Sequence, residues 1–185
     1  MSTASLTSAP AVWQIDPAHS SAQFSVRHLM ISNVKGEFTK VSGTLVYDPS
    51  NPSNSKVDVT IDAGSINTRD AQRDTHLKSA DFFDTEKFPT IEFRSTEVRS
   101  SGDGGRITGD LTIHGVTRQV VLDVEGPTPE AKDPWGSTRI AASATTRINR
   151  RDFGLVWNAA LETGGVLVGE DVKITIDIEA IKQQQ

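Results

Sequence analysis

The sequence predicts an all-β domain of about eight antiparallel strands with one short helix beside them. Three observations carry this. Apolar and polar residues alternate with period two along segment after segment, the pattern of strands buried on one face. The segments are separated by turn-forming clusters: "DPSNPSNS", "SSGDGG", "HGVT" and "GPTPEAKDPWGS". A single stretch, residues 68–79, departs from the alternation and reads as a helix.

Each element follows from its own residues. In "SAQFSVRH", Ala22, Phe24 and Val26 share one side and Gln23, Ser25 and Arg27 the other; His28 continues the inward series near the strand end. "KVDVTIDAG" sets Val57, Val59 and Ile61 against Lys56, Asp58, Thr60 and Asp62. "RITGDLTIHG" sets Ile107, Leu111 and Ile113 against Thr108, Asp110, Thr112 and His114, with Gly109 in the apolar series. "QVVLDVEG" contributes Val120, Leu122 and Val124, and "DVKITIDIEAI" contributes Val172, Ile174, Ile176 and Ile178. Further strands are expected around 36–47, 89–99 and 137–148. Tight turns between alternating strands argue an antiparallel meander. Such a sheet hides its apolar face by packing as a sandwich or by closing into a barrel, and the pattern leaves both open.

The helix over 68–79 takes Asn67 as its expected N-cap, with Asp70 three residues on. Asp74 and Lys78 make an i,i+4 pair in the favourable order. The apolar stripe is only Ala71, Leu77 and Ala80, too thin to stabilise the helix alone. Phe82 and Phe83 follow at once and are its expected anchor; if the sheet closes into a barrel, they lie close to where a tube would open. Phe88-Pro89 returns the chain to the sheet.

Composition narrows the function. The chain has 185 residues and 20.0 kDa, the size of one domain. Residues 1–11, rich in Ser, Thr and Ala, read as a disordered lead, and 12–182 as a single domain. There are no cysteines, which excludes disulfides and Cys-based zinc sites. A net charge of −5 argues against nucleic acid as a partner. No apolar run is long enough to span a membrane as a helix. "MSTASLTSAPAVW" lacks the basic and apolar regions of a signal peptide, so the cytoplasm is the expected location.

No catalytic set is placed by spacing. His19, His28, His76 and His114 fall in no short metal-binding pattern, and no GxSxG elbow, GxGxxG or P-loop is present. His114 reads as a surface turn residue, and His28 as a hydrogen-bonded residue at a strand end. The expectation is therefore a protein without catalytic residues or a resident metal. Two basic clusters stand out: Arg69/Arg73/Lys78, followed by Phe82 and Phe83, and Arg147/Arg150/Arg151, followed by Phe153 and Trp157. Either is solvated charge or a cationic rim for a phosphate or other polar head group. The connection 149–170, "NRRDFGLVWNAALETGGVLVGE", reads as a lid-like segment or an irregular edge strand.

Four stretches, "WQIDPAHSSAQFSVRHLMISNVKGEF", "INTRDAQRDTHLKSADFFDTEKFPTIEFRS", "ITGDLTIHGVTRQVVLDVEG" and "RRDFGLVWN", resemble the YceI-like polyisoprenoid-binding family. The resemblance runs over residues 12 to 181. It implies an extended eight-stranded antiparallel lipocalin-like barrel with the helix packed beside it. It also implies an amphiphile with a long isoprenoid or acyl chain inside, no other cofactor, and a homodimer among the assemblies. Many relatives are exported to the periplasm, whereas this chain lacks the signal peptide. The expected lining is Phe24, Val26, His28, Phe38, Val59, Ile61, Phe82, Phe83, Phe93, Leu111, Ile113, Leu122, Phe153 and Trp157. Arg69, Arg73, Arg147, Arg150 and Arg151 are the head-group candidates. The alternatives are a lipid-modifying enzyme built on His19, His28 or His76, and an interaction module with a filled interior.

Overall fold

The structure is a computed structural model that describes residues 9–184. Most of the expected disordered lead lies outside the described residues. The strands are β1 (Ala11–Ile15), β2 (Ser21–His28), β3 (Ser32–Phe38), β4 (Val41–Tyr47), β5 (Lys56–Asp62) and β6 (Ile66–Asn67), then β7 (Thr90–Ser101), β8 (Gly104–Ile113), β9 (Val116–Glu125), β10 (Ala131–Lys132), β11 (Thr138–Asn149) and β12 (Val168–Lys182). One α-helix, α1 (Ala71–Lys78), lies between β6 and β7.

All strand pairs are antiparallel. The sheet closes because β11 pairs with β9 on one side and with β12 on the other. Twelve strands make a barrel of eight because four staves are each made of two strands, the fourth being β9 with β10, which both run along β11. β1 and β2 both run along β12, separated by the turn at Pro17–His19, and β3 with β4 and β5 with β6 bend beside them. Pro17 cannot donate to a ladder, and the Asp16 carboxylate accepts from the Ala18 N–H, so the chain must turn there. Closure, which the alternation alone did not decide, leaves the ring without an exposed edge.

The inward side chains form one main core, with Phe38, Val41, Ile61, Phe93, Leu111 and Leu122 among its buried members. A second, smaller cluster at one barrel end joins Trp13, Ile140 and Ala180. The Lys182 ammonium stands 5.4 Å from the centre of the Trp13 ring.

The helix starts later than expected. Asp70, not Asn67, is the N-cap, accepting from the Arg73 N–H at 3.0 Å. Asn67 ends β6, its side-chain oxygen accepts from the Arg69 N–H, and Arg69 sits at φ 63°, which no helix tolerates. α1 buries none of its residues fully, in keeping with its thin apolar stripe.

A charge cluster secures the outside of the barrel. The Arg139 guanidinium donates to Asp16 at 2.7 Å, to Glu179 at 2.6 Å and to Asp133 at 2.7 Å. It ties the bend after β1 to β12 and to the β10–β11 turn. The bond from Arg139, then that from His19, holds the Asp16 carboxyl at a pKa of about 2. Because the folded value is depressed, the stabilisation is complete above the ordinary carboxylate range and is lost as pH falls through about 2. Arg139→Gln should flatten the fall in stability between about pH 4 and pH 2, read by denaturant unfolding at each pH. An unchanged slope would show that the cluster does not couple protonation to folding.

The β2–β3 turn is unusual. The Ile31 N–H donates to the His28 carbonyl at 3.2 Å, and both central residues, Leu29 and Met30, have positive φ, 51° and 62°. Turns of this hand ordinarily take Asn-Gly. A left-handed conformation costs a non-glycine residue about 1–2 kcal/mol.

Candidate functional site

The barrel encloses a cavity of about 960 Å³, and its wall is mostly aliphatic and aromatic. Eleven of the expected lining residues face it: Phe24, Val26, Phe38, Val59, Ile61, Phe82, Phe83, Phe93, Leu111, Ile113 and Leu122. Two glycines admit two of these rings. A side chain at Gly36 would collide with the Phe24 ring, and one at Gly109 with the Phe93 ring. That is the role of the glycine in the apolar series of β8.

Three expected lining residues are placed elsewhere. His28 pairs with Ser32 and Val168 at the end of β2, and its ring makes no hydrogen bond among the described residues. Phe153 is buried in the packed core. Trp157 stacks outside the lumen, 4.7 Å from the His76 ring and 5.4 Å from Phe82. His114 is not a plain surface residue either: it is half-buried against Phe88, with Nδ1 3.3 Å from the Phe153 carbonyl oxygen.

The two ends of the cavity differ. At the end near α1, Phe82 and Phe83 close the lumen together with Leu77 and Leu155. Phe83 meets Phe38 edge-on at 5.6 Å, and Phe82 carries the His76–Trp157 stack. The phenylalanines thus plug an end rather than flank an opening. At the opposite end the wall runs out to exposed residues of the β4–β5, β7–β8 and β9–β10 loops, and the cavity opens there. Its rim carries Lys56, Arg99 and Arg106 along with Asp103 and Glu130. Arg99 is paired with Glu97 at 2.8 Å and Arg106 with Asp123 at 3.1 Å, so the rim is of mixed sign.

The expected head-group arginines lie away from the open end. Arg73 donates to Thr68 Oγ1 and to the Thr68 carbonyl, both at 2.8 Å. Arg69 and Arg147 are exposed and outside the cavity, and Arg151 pairs with Glu170 at 2.9 Å. Only Arg150 reaches the lumen wall, and its donors are spent on backbone. It donates to the carbonyls of Gly169 (2.7 Å), Leu155 (2.6 Å), Trp157 (2.9 Å) and Val168 (3.3 Å). Burial lowers its pKa from the ordinary value, yet a guanidinium stays charged. Arg150 is the clamp that fixes the 150–167 segment across the closed end.

The expected lining omitted much of the wall. Ala142, Ala144, Thr146 and Ile148 of β11 face the cavity, as do Ile174, Ile176 and Ile178 of β12. The β12 series was visible as period two. The signal in β11 was a run of small residues, which leave space where larger ones would fill it.

The histidines do not assemble into one site. His19 lies beside Asp16 and Glu179, where the Arg139 guanidinium already bridges both carboxylates. His76 contacts Asp81 and the Phe82–Trp157 stack, and His28 ends β2.

A protein-family model described as YceI-like domain matches residues 13–180. The chain belongs to the YceI-like family. Its relatives include the UPF0312 protein SAS2572 of Staphylococcus aureus, 42% identical over 164 residues, which cover 89% of this chain and 94% of that protein. Among solved structures, the YCEI protein of Campylobacter jejuni superposes with a TM-score of 0.71 at 35% identity, covering 85% of this chain and 90% of that one. A polyisoprenoid binding domain from Saccharophagus degradans, implicated in plant cell wall breakdown, superposes with a TM-score of 0.65 at 15% identity, covering 94% and 99%. This YceI-like chain shares their fold, an eight-stranded antiparallel barrel with one helix. Among the described residues no helix is long and apolar enough to cross a membrane.

Proposed function

We propose that this YceI-like protein binds and carries an amphiphile with a long isoprenoid or acyl chain, held inside the barrel. The observation that carries the reading is the 960 Å³ cavity with an apolar wall and a polar rim at one end. A hydrocarbon chain needs no hydrogen bonds, and the wall offers few. At roughly 30 Å³ per carbon unit the space takes on the order of thirty carbons. The rim is suited to a polar head left near solvent, and its mixed charge favours no one head group strongly. The polyisoprenoid binding domain of S. degradans with the same fold agrees with this cargo.

Binding alone, without chemical change to the lipid, is part of the proposal. Native mass spectrometry of protein isolated from its own source should show a retained amphiphile that is released on denaturation. A ligand-free spectrum, together with no uptake of added quinone, would overturn the reading.

A further inference from the structure

The closed end of the barrel carries a surface that the cavity does not explain. Leu29, Met30 and Ile31 form the tip of the β2–β3 hairpin, and all three are exposed, Ile31 to 77%. Leu29 and Met30 hold the left-handed turn described above, where Asn-Gly would sit without strain. Met30 packs on Gly165, and the Leu29 N–H donates to the Leu167 carbonyl at 2.8 Å. Exposed Val166, between Gly165 and Leu167, continues the apolar surface beside the tip.

Beside this tip lies a basic band. The register sets Arg147 opposite Lys173, Lys173 opposite Ser25, and Ser25 opposite Lys35, so the three cations cross the outer wall in one row. Arg27 lies on the same face, one step nearer the tip, and donates to the Met30 carbonyl at 3.2 Å. All four are exposed, and none has an ion-pair partner among the described residues. The bordering carboxylates are Glu37, Asp171 and Glu170, the last paired with Arg151. This excess of positive charge stands on a chain whose net charge is −5.

We propose that the hairpin tip and the adjoining basic band dock this protein on an anionic lipid bilayer, the aliphatic tip entering the interface while the cations face the head groups. Short aliphatic side chains beside cations are the chemistry of an interfacial anchor. A two-fold symmetric contact with a second copy would set the band against itself, cation facing cation. The surface is separate from the cavity, so its test does not depend on the cargo.

The test is co-sedimentation of the full chain with vesicles of phosphatidylcholine and phosphatidylglycerol, against vesicles of phosphatidylcholine alone. Binding should require the anionic lipid and weaken with salt. Lys35→Glu with Lys173→Glu should lower partitioning about tenfold or more. The double variant Leu29→Asn, Met30→Gly relieves the turn, so it should melt higher than the parent yet bind vesicles less. Parent-like vesicle binding by either variant overturns the proposal. So does a parent that fails to bind anionic vesicles, or a tip variant whose main effect is to split a dimer in sedimentation velocity.

Discussion

Replacing Arg150 by methionine is expected to cost about 3 kcal/mol or more of stability. Arg150 is 5% exposed, and its guanidinium donates to four backbone carbonyls, of Leu155, Trp157, Val168 and Gly169. Methionine fills similar space but leaves those acceptors without donors, at about 1–3 kcal/mol for each that water cannot reach. The loss should concentrate where the bonds are. The 154–167 segment should become susceptible to protease before the barrel unfolds, and the Trp157 ring should leave its stack on His76 and Phe82. Urea unfolding and limited proteolysis check this together. An unchanged midpoint with an uncut segment would show that the strap is held by packing alone.

Arg150 also illustrates what the sequence could tell. As the middle member of a basic cluster beside aromatics, it read as a head-group ligand. Nothing in its neighbours distinguishes a guanidinium aimed at solvent from one turned onto backbone carbonyls, because that depends on how β11, β12 and the strap meet. Alternation, by contrast, is a local signal. It marked the inward faces of β2, β5, β8, β9 and β12, and Phe24, Val59, Leu111 and Leu122 do face the lumen. Phe153, outside any alternating segment, read as lining only as an aromatic beside the second basic cluster, and it is packed solid. Closure of the ring hinges on β11 pairing with both β9 and β12, a long-range choice that the strand pattern left open and the family resemblance supplied. The helix start was misplaced because Asn67 and Asp70 are equally good caps by composition, and only the left-handed backbone at Arg69 separates them.

The second large effect concerns the ligand. Each buried CH₂ unit contributes roughly 0.8 kcal/mol of gross transfer free energy, so an isoprene unit contributes on the order of 4 kcal/mol. Ordering the chain and losing free motion offset most of that. A net gain of about 1.4 kcal/mol per unit still means about tenfold in Kd for each isoprene added. The gain should stop near thirty carbons, on the order of the volume available. Changing the head group at constant chain length should matter less, because Arg99 and Arg106 at the rim are already paired with Glu97 and Asp123. Exposed pairs of this kind are worth about 1 kcal/mol or less.

The direct measurement is therefore a titration of delipidated protein with a series of prenyl quinones that share one head group and differ only in chain length. Affinity should rise stepwise with each isoprene unit and level off at about six. Affinity that is flat with chain length and changes only with the head group would contradict an apolar cavity as the binding site.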